Sequence, residues 1–200
     1  MTSSTSEAKS SPAHAFTGIV RGWNKDQKGR LAALRRNAGE PLKDARGITW
    51  MYDLLNDFER GYGDETLFLI ATLIALDRPY LNGTQPRAGS FGQTLAMLKS
   101  QPGANAESLE RRFAILLDAD FDPQDGAGEL PFRLRQTVKL VVSKGGGIDW
   151  PRLLNDLHQW NNDRKPIQKR WAKDFYTPFA ADATPTPETQ ATTEGETDAV

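Results

Sequence analysis

The sequence contains no cysteine, so it can form neither disulfide bonds nor a thiolate metal site. Its only two histidines, His14 and His158, lie in separate regions. The longest uncharged apolar run, Thr66 to Leu76, is too short to cross a bilayer and is typical of a buried helix. Residues 1–11 are polar and lack the apolar centre of a secretory signal. These absences predict a cytoplasmic protein without a membrane segment.

The patterns that carry reaction chemistry are also missing. A histidine metal site needs two ligands on one helix face, and the spacing of Asp156 and His158 does not supply them. The loop at 118–128 is rich in aspartate, but its glycines and its glutamate do not fall at the positions that a calcium loop requires. The triple glycine at 145–147 indicates a helix end, because no strand precedes it and no Lys-Ser/Thr pair follows. We therefore predict no enzyme activity, no cofactor and no metal.

The net charge of −1 averages four regions of alternating sign. Residues 17–47 carry eight Lys or Arg against three Asp or Glu, and residues 129–176 carry ten against five. Residues 48–128, between them, carry six against twelve. Residues 177–200 carry five acids and no base. Such asymmetry indicates electrostatic partners rather than a particular fold.

The apolar spacing between the two ends of the chain is helical, and no convincing strand pattern interrupts it. It predicts about nine helices. Asp149 is the expected N-cap of the eighth helix, and Pro166 opens the last. The inner face of the first helix is expected to carry Phe16, Ile19, Val20 and Trp23.

The weakest helical signal in the middle of the chain lies at 101–105 and divides it into two parts. We assign residues 14–103 to an N-terminal helical bundle and residues 104–176 to a C-terminal helical bundle. Residues 1–13 and residues 177–200 are poor in apolar side chains, so both are expected to be disordered tails. The predicted fold class is all-α, with two small helical bundles between the tails.

Positive residues cluster on the outer faces of the expected helices. A surface that follows a phosphate backbone needs this supply of Arg and Lys but no base-reading geometry. Any single cluster is more typical of an ordinary solvated helix face, but the excess of bases over acids in both positive regions favours a binding surface. The tryptophans recur at core spacing, which favours packing over base stacking. The candidate nucleic-acid-binding residues are Arg30, Arg35, Arg36, Arg111, Arg112, Arg133, Arg135, Lys139, Lys169 and Arg170.

Several motifs, in order along the chain, resemble those of one known family. The specific one is Asp149-Trp150, Trp160, Gln168, Trp171-Ala172 and Phe175-Tyr176. The weaker ones are Gly29-Arg30-Leu31-Ala32-Ala33-Leu34-Arg35-Arg36, Glu65-Thr66-Leu67-Phe68, Ser90-Phe91-Gly92, Arg111-Arg112-Phe113 and Leu134-Arg135-Gln136. On these residues the chain resembles the CasB family, the small subunit of the type I-E CRISPR surveillance complex (Cascade). Residues 40–63 and the acidic tail match nothing in that family.

The resemblance implies a non-catalytic, all-α subunit. Two copies would lie head to tail against the backbone subunits and the large subunit, and would hold the guide RNA, the target strand and the displaced DNA strand. Strand exchange in an R-loop is nearly balanced in energy, so protein contacts to the backbone can tip it. We place those contacts on Arg30, Arg35, Arg36, Arg111, Arg112, Arg135, Lys139, Lys169 and Arg170.

Two alternatives stay open at this point. The basic faces could dock on acidic surfaces of neighbouring proteins, which would make the chain a purely structural scaffold. A helical regulator of duplex DNA is a weaker alternative, because no helix-turn-helix pattern stands out. Salt-dependent binding separates nucleic-acid binding from the scaffold, since each lost phosphate contact lowers the salt slope.

Overall fold

The computed structural model of the protein describes residues 11–23, 25–58, 60–77 and 89–177. Within these ranges it contains nine α-helices and no strand, which confirms the all-α prediction. Two 3₁₀ turns, Lys25–Gln27 and Leu42–Asp44, precede α2 and α3. The helices are α1 (Pro12–Gly22), α2 (Lys28–Arg36), α3 (Met51–Phe58), α4 (Asp64–Leu76), α5 (Phe91–Lys99), α6 (Ala106–Asp118), α7 (Leu130–Ser143), α8 (Trp150–His158) and α9 (Pro166–Tyr176).

The described residues reach only the inner edges of the two expected tails. Residues 1–10 and 178–200, to which most of that prediction applies, lie outside them. The first helix begins at Pro12, within the stretch assigned to the N-terminal tail. Ser11 caps it, because its Oγ accepts a hydrogen bond from the backbone N–H of His14 at 3.4 Å, and proline suits the first helical position.

The inner face of α1 differs from the expected one at a single residue. Phe16 and Val20 are fully buried, but Ile19 is 43% exposed, so its placement in the core was wrong. Trp23 is buried as expected, but it is the C-cap and has an extended backbone. Including Trp23 in the helical pattern rotates the expected buried face towards Ile19. The buried face of the helix includes Thr17 instead.

Helix α4 is the centre of the molecule. It is apolar all round, as its sequence predicts, and packs against α1, α2, α3, α7 and α8. Its one buried acid, Glu65, accepts hydrogen bonds from the backbone N–H of Leu42 at 2.9 and 3.2 Å. Burial raises the pKa of Glu65, and the Leu42 hydrogen bond opposes that shift.

Helices from the two halves of the chain pack on each other. Helix α1 contacts α8, and α5 contacts α9. The α5–α9 approach is close at Gly92, where a Cβ atom would lie 2.8 Å from Cα of Trp171. The boundary expected at 101–105 falls in the loop between α5 and α6. The division into two bundles stays a prediction.

The expected helix starts in the second half are confirmed. The Asp149 side chain caps α8 by accepting a hydrogen bond from the N–H of Arg152 at 3.0 Å. Helix α9 begins at Pro166. None of the helices in the described ranges is both long and apolar enough to cross a membrane.

Candidate nucleic-acid interface

The surface formed by α6 and α7 presents positive side chains because of how the two helices bury their apolar residues. Helix α6 packs on α7 and turns Leu109, Phe113 and Leu116 inward. Arg111 and Arg112 therefore lie on its exposed side.

A cavity of about 300 Å³ lies between these helices. Arg112 of α6 and Arg133 of α7 line it together. Two of its lining residues, Ile115 and Phe132, are large apolar side chains that are 39% and 48% exposed. The cavity therefore combines guanidinium groups with apolar surface.

A second cavity, of about 270 Å³, shares Arg112 with the first. It also has Leu140 and Lys144 in its lining, along with the loop that joins α5 to α6. Arg133, Leu140 and Lys144 follow one flank of α7 at helical spacing, and the eleven residues from Arg133 to Lys144 rise roughly 16 Å. We call the two cavities together the α6–α7 groove, and its cations are Arg112, Arg133 and Lys144.

Arg133 also contacts two other residues, the N-cap of its own helix and a residue within that helix. Its Nη2 lies 3.0 Å from Oε2 of Glu129, one turn earlier, and its guanidinium lies 5.6 Å from the ring centroid of Phe132. Both charged side chains are substantially exposed. An exposed pair of this kind contributes at most about 1 kcal/mol, so a phosphate can displace Glu129.

The structure does not bring Arg133, Arg135 and Lys139 onto one surface. Residues two apart on a helix point about 160° away from each other, so Arg133 and Arg135 occupy opposite flanks of α7. Arg135 reaches the turn that follows α2, where a Cβ atom on Gly39 would lie 3.1 Å from its Cδ. Its Nε is buried and has no hydrogen-bond partner among the residues described. Lys139 lies on the exposed face of α7.

The arginines of α2 occupy different environments. The guanidinium of Arg30 lies 5.0 Å from the ring centroid of Trp50 and 6.0 Å from that of Trp23. The two indoles pack edge to face with centroids 5.2 Å apart. Arg36 is exposed, whereas Arg35 is partly buried and makes contacts within the protein.

On α9 the two candidate cations separate. Arg170 forms an ion pair with Asp156 of α8, a carboxylate that is 3% exposed. Trp171 also donates to that carboxylate, from Nε1 to Oδ2 at 2.6 Å. Arg170 therefore joins α8 to α9. Lys169 and Lys173 lie on the exposed face of α9.

The acidic loop between α6 and α7 has structural hydrogen bonds. Asp125 forms an exposed ion pair with Lys43 at 2.6 Å, and Asp120 accepts from the N–H of Glu129 at 2.9 Å. Gly126 lies so close to the Glu65 carboxylate that a Cβ atom would overlap it. Among the described residues, no three or more His, Cys, Asp or Glu are arranged to hold a metal ion.

Sequence reasoning missed Lys144, Ile115 and Phe132 as residues of this surface. Lys144 follows Arg133 by eleven residues, which is three helical turns, and that spacing was available as a signal. Ile115 and Phe132 had no comparable signal, since apolar residues on a helix are ordinarily assigned to the core. Their exposure depends on where α6 and α7 meet.

Comparison with known proteins agrees with the CasB resemblance. A family model described as CRISPR-associated protein Cse2 matches residues 30–176. The Cse2 protein of Thermus thermophilus is 38% identical over 112 residues, and the match spans 56% of this chain and 56% of that protein's length.

Two solved structures extend the comparison to the fold. CasB from Thermus thermophilus shares 30% identity with a TM-score of 0.63, over 82% of this chain and 97% of that one. A chain of a CRISPR RNA-guided surveillance complex has the same fold at 21% identity and a TM-score of 0.66, over 82% and 91% of the two chains. The family match covers most of the residues from α2 to α9, and the protein belongs to the Cse2 (CasB) family of CRISPR-associated proteins.

Proposed function

We propose that this protein is a non-catalytic small subunit of a CRISPR surveillance complex and that it binds nucleic acid through the α6–α7 groove. The observation that carries the proposal is the line of three cations, Arg133, Arg112 and Lys144, along two cavities that share Arg112. Membership of the Cse2 family supports the assignment to such a complex.

The groove suits a phosphate chain rather than a particular base sequence. Its cations extend over roughly 16 Å of helix, which is between four and five phosphate intervals of one strand in a B-form duplex. Contacts to phosphate oxygens fix position without reading sequence. In a surveillance complex the guide RNA reads the sequence, so the small subunit needs only to stabilise the separated strands through their backbones.

Other candidate cations would extend or support this surface. Exposed Arg111 and Lys139 lie on the same two helices, and exposed Lys169, Arg30 and Arg36 are available to a second strand or subunit. Arg170 and Arg135 act within the protein, the first on Asp156 and the second against Gly39. The partners are the backbone subunits, the large subunit, a second copy of the chain, the guide RNA and the two DNA strands.

The scaffold alternative has one observation in its favour. Ile115 and Phe132 expose apolar surface beside the cations, and apolar surface of this kind is used in docking on protein. In that case the groove would bind an acidic, apolar segment of a neighbouring subunit and would not contact nucleic acid.

Binding of single-stranded DNA at several salt concentrations tests the proposal. The double variant Arg112→Gln, Lys144→Gln should lower the salt slope by about 0.7 for each lost phosphate contact. It should weaken binding roughly fivefold per contact, since a charge pair in water is worth about 1 kcal/mol. Arg60→Gln, which removes an exposed arginine outside the groove, is the matched control.

The outcomes separate the two functions. An unchanged slope in the double variant, with unchanged affinity, would overturn nucleic-acid binding at this groove. If the same variant also fails to join the other complex subunits in a pull-down with guide RNA, the scaffold becomes the better account. The control variant should behave as the unmodified protein in both assays.

A further inference from the structure

The chain leaves its last helix beside α6, which forms one side of the α6–α7 groove. Phe175, near the end of α9, packs on Phe113 of α6 with ring centroids 4.2 Å apart. The ammonium group of Lys99 lies 4.5 Å from the ring centroid of Phe175 and 5.3 Å from that of Tyr176. Lys99 also pairs with Glu110 at 3.3 Å, and Glu110 lies two residues before Arg112, on the other flank of α6. Residues that follow α9 therefore start across α6 from the groove.

The chemistry of residues 178–200 is complementary to that groove. They contain five acids, no base and one aromatic side chain, Phe179. The groove offers three cations and the exposed apolar surfaces of Ile115 and Phe132. A carboxylate-bearing segment with an apolar anchor matches both features, whereas a bare phosphate chain matches only the first.

The length of this segment is ample. Twenty-three residues extend up to roughly 75 Å, several times the roughly 16 Å from Arg133 to Lys144. Tethering gives a short segment an effective concentration on the order of millimolar, so even weak intrinsic affinity produces substantial occupancy.

We infer that the acidic segment 178–200 docks in the α6–α7 groove of its own chain and competes there with nucleic acid. Docking itself depends only on charge and apolar complementarity. The competition rests on the function proposed above. If DNA must displace the segment, its apparent affinity is lowered in proportion to the fraction of molecules in which the groove is free.

The absence of cysteine makes a direct test of docking possible. The full chain with Ala191→Cys would carry one nitroxide spin label, and the amide signals of the isotope-labelled protein would be recorded. The label should broaden the signals of Ile115, Phe132 and Gln136 at low salt. The broadening should decline in high salt and in the Arg112→Gln, Lys144→Gln background.

Three results would overturn docking in the chain's own groove. They are no broadening, broadening confined to the exposed face of α9, and broadening that appears only when labelled and isotope-enriched molecules are different copies. The last result would assign the groove to a second copy.

A binding assay tests the competition separately. The full chain with its tail acids changed to amides should bind single-stranded DNA roughly two- to fivefold more tightly at low salt. Equal affinity would overturn the competition. If neither form binds DNA while the spin label still broadens the groove signals, the proposed function fails and docking stands. The changes are Asp182→Asn, Glu188→Gln, Glu194→Gln, Glu196→Gln and Asp198→Asn.

Discussion

The α8–α9 corner and the α6–α7 groove use the same kind of side chain in opposite ways. In the corner, Arg170 pairs with the buried carboxylate of Asp156, and the indole N–H of Trp171 donates to that carboxylate as well. In the groove, Arg112 is exposed and lines two cavities. Both arginines lie on amphipathic helices next to buried aromatic residues.

The difference lies in the acceptors within reach, since helix position is similar in the two cases. Asp156 is fourteen residues from Arg170 in sequence and reaches it only because α8 and α9 pack together. A cation with a buried acceptor holds helices together, and a cation without one is free for a polyanion. This distinction predicts that changes in the corner alter stability, while changes in the groove alter binding.

The largest expected effect comes from Asp156→Ala. It leaves the Arg170 charge and the Trp171 N–H without their common acceptor, and breaking such a pair costs about 3 kcal/mol, the low end of the usual range because Arg170 can turn towards water. Urea unfolding measures the loss. Asp163→Ala, an exposed acid in the α8–α9 loop, is the control and should stay within about 0.5 kcal/mol of the parent. A small effect at Asp156 would mean that the corner does not depend on its charges.

Gly92→Ala should be the next largest. The added Cβ atom would press on the backbone of Trp171, and forcing extra volume into a packed contact costs about 1–3 kcal/mol. Gly18→Ala is the matched control, because a Cβ atom there meets nothing within 4 Å and alanine should gain about 0.5–1 kcal/mol within a helix. Thermal unfolding of both variants gives the comparison, and a stable Gly92→Ala protein would refute the close α5–α9 approach.

Arg112→Gln and Arg170→Gln compare the two regions directly. Arg112→Gln should change the free energy of unfolding by less than about 0.5 kcal/mol while lowering the salt slope of single-stranded DNA binding by about 0.7. Arg170→Gln should lower stability and leave the slope unchanged, measured at a temperature where it is folded. A reversal of the two slopes would place the polyanion site at the corner.

The smallest effect concerns Glu65, a buried acid whose hydrogen-bond donor is the backbone N–H of Leu42. The folded protein raises the pKa of Glu65 through burial, so the folded state binds this proton more tightly than the unfolded chain does. Glu65 therefore lowers stability as pH rises from its unfolded value through its raised folded pKa. Glu65→Gln should flatten that part of the pH–stability profile, which begins near the ordinary glutamate pKa of about 4.3 and extends upward from it. An identical slope in the two proteins would show that Glu65 does not cause it.

Much of the fold follows from local sequence rules. Helical spacing gave all nine helices of the described residues, and the Asp149 cap and Pro166 marked two starts correctly. The error at Ile19 arose because Trp23 lies just past the helix end, where periodicity no longer applies. Caps and spacing are properties of a few adjacent residues, which is why they can be read without a structure.

The candidate site was less predictable because it depends on contacts between helices. From the sequence, Arg170 and Lys169 were equal candidates, since nothing local shows that Asp156 is in reach. Arg133 and Arg135 were equal candidates as well, although a step of two residues turns them to opposite flanks of α7. Lys144 and Phe132 joined the groove only once α6 and α7 were placed side by side.

The most direct test of the account is to titrate a short oligothymidylate into the isotope-labelled protein at low salt and follow the amide signals. We predict that the largest shifts fall on Arg112, Gln136 and Leu140, along the α6–α7 groove, and that they shrink as salt is raised. Shifts confined to α2 or α9, or none at all, would contradict the claim that this groove binds a phosphate chain.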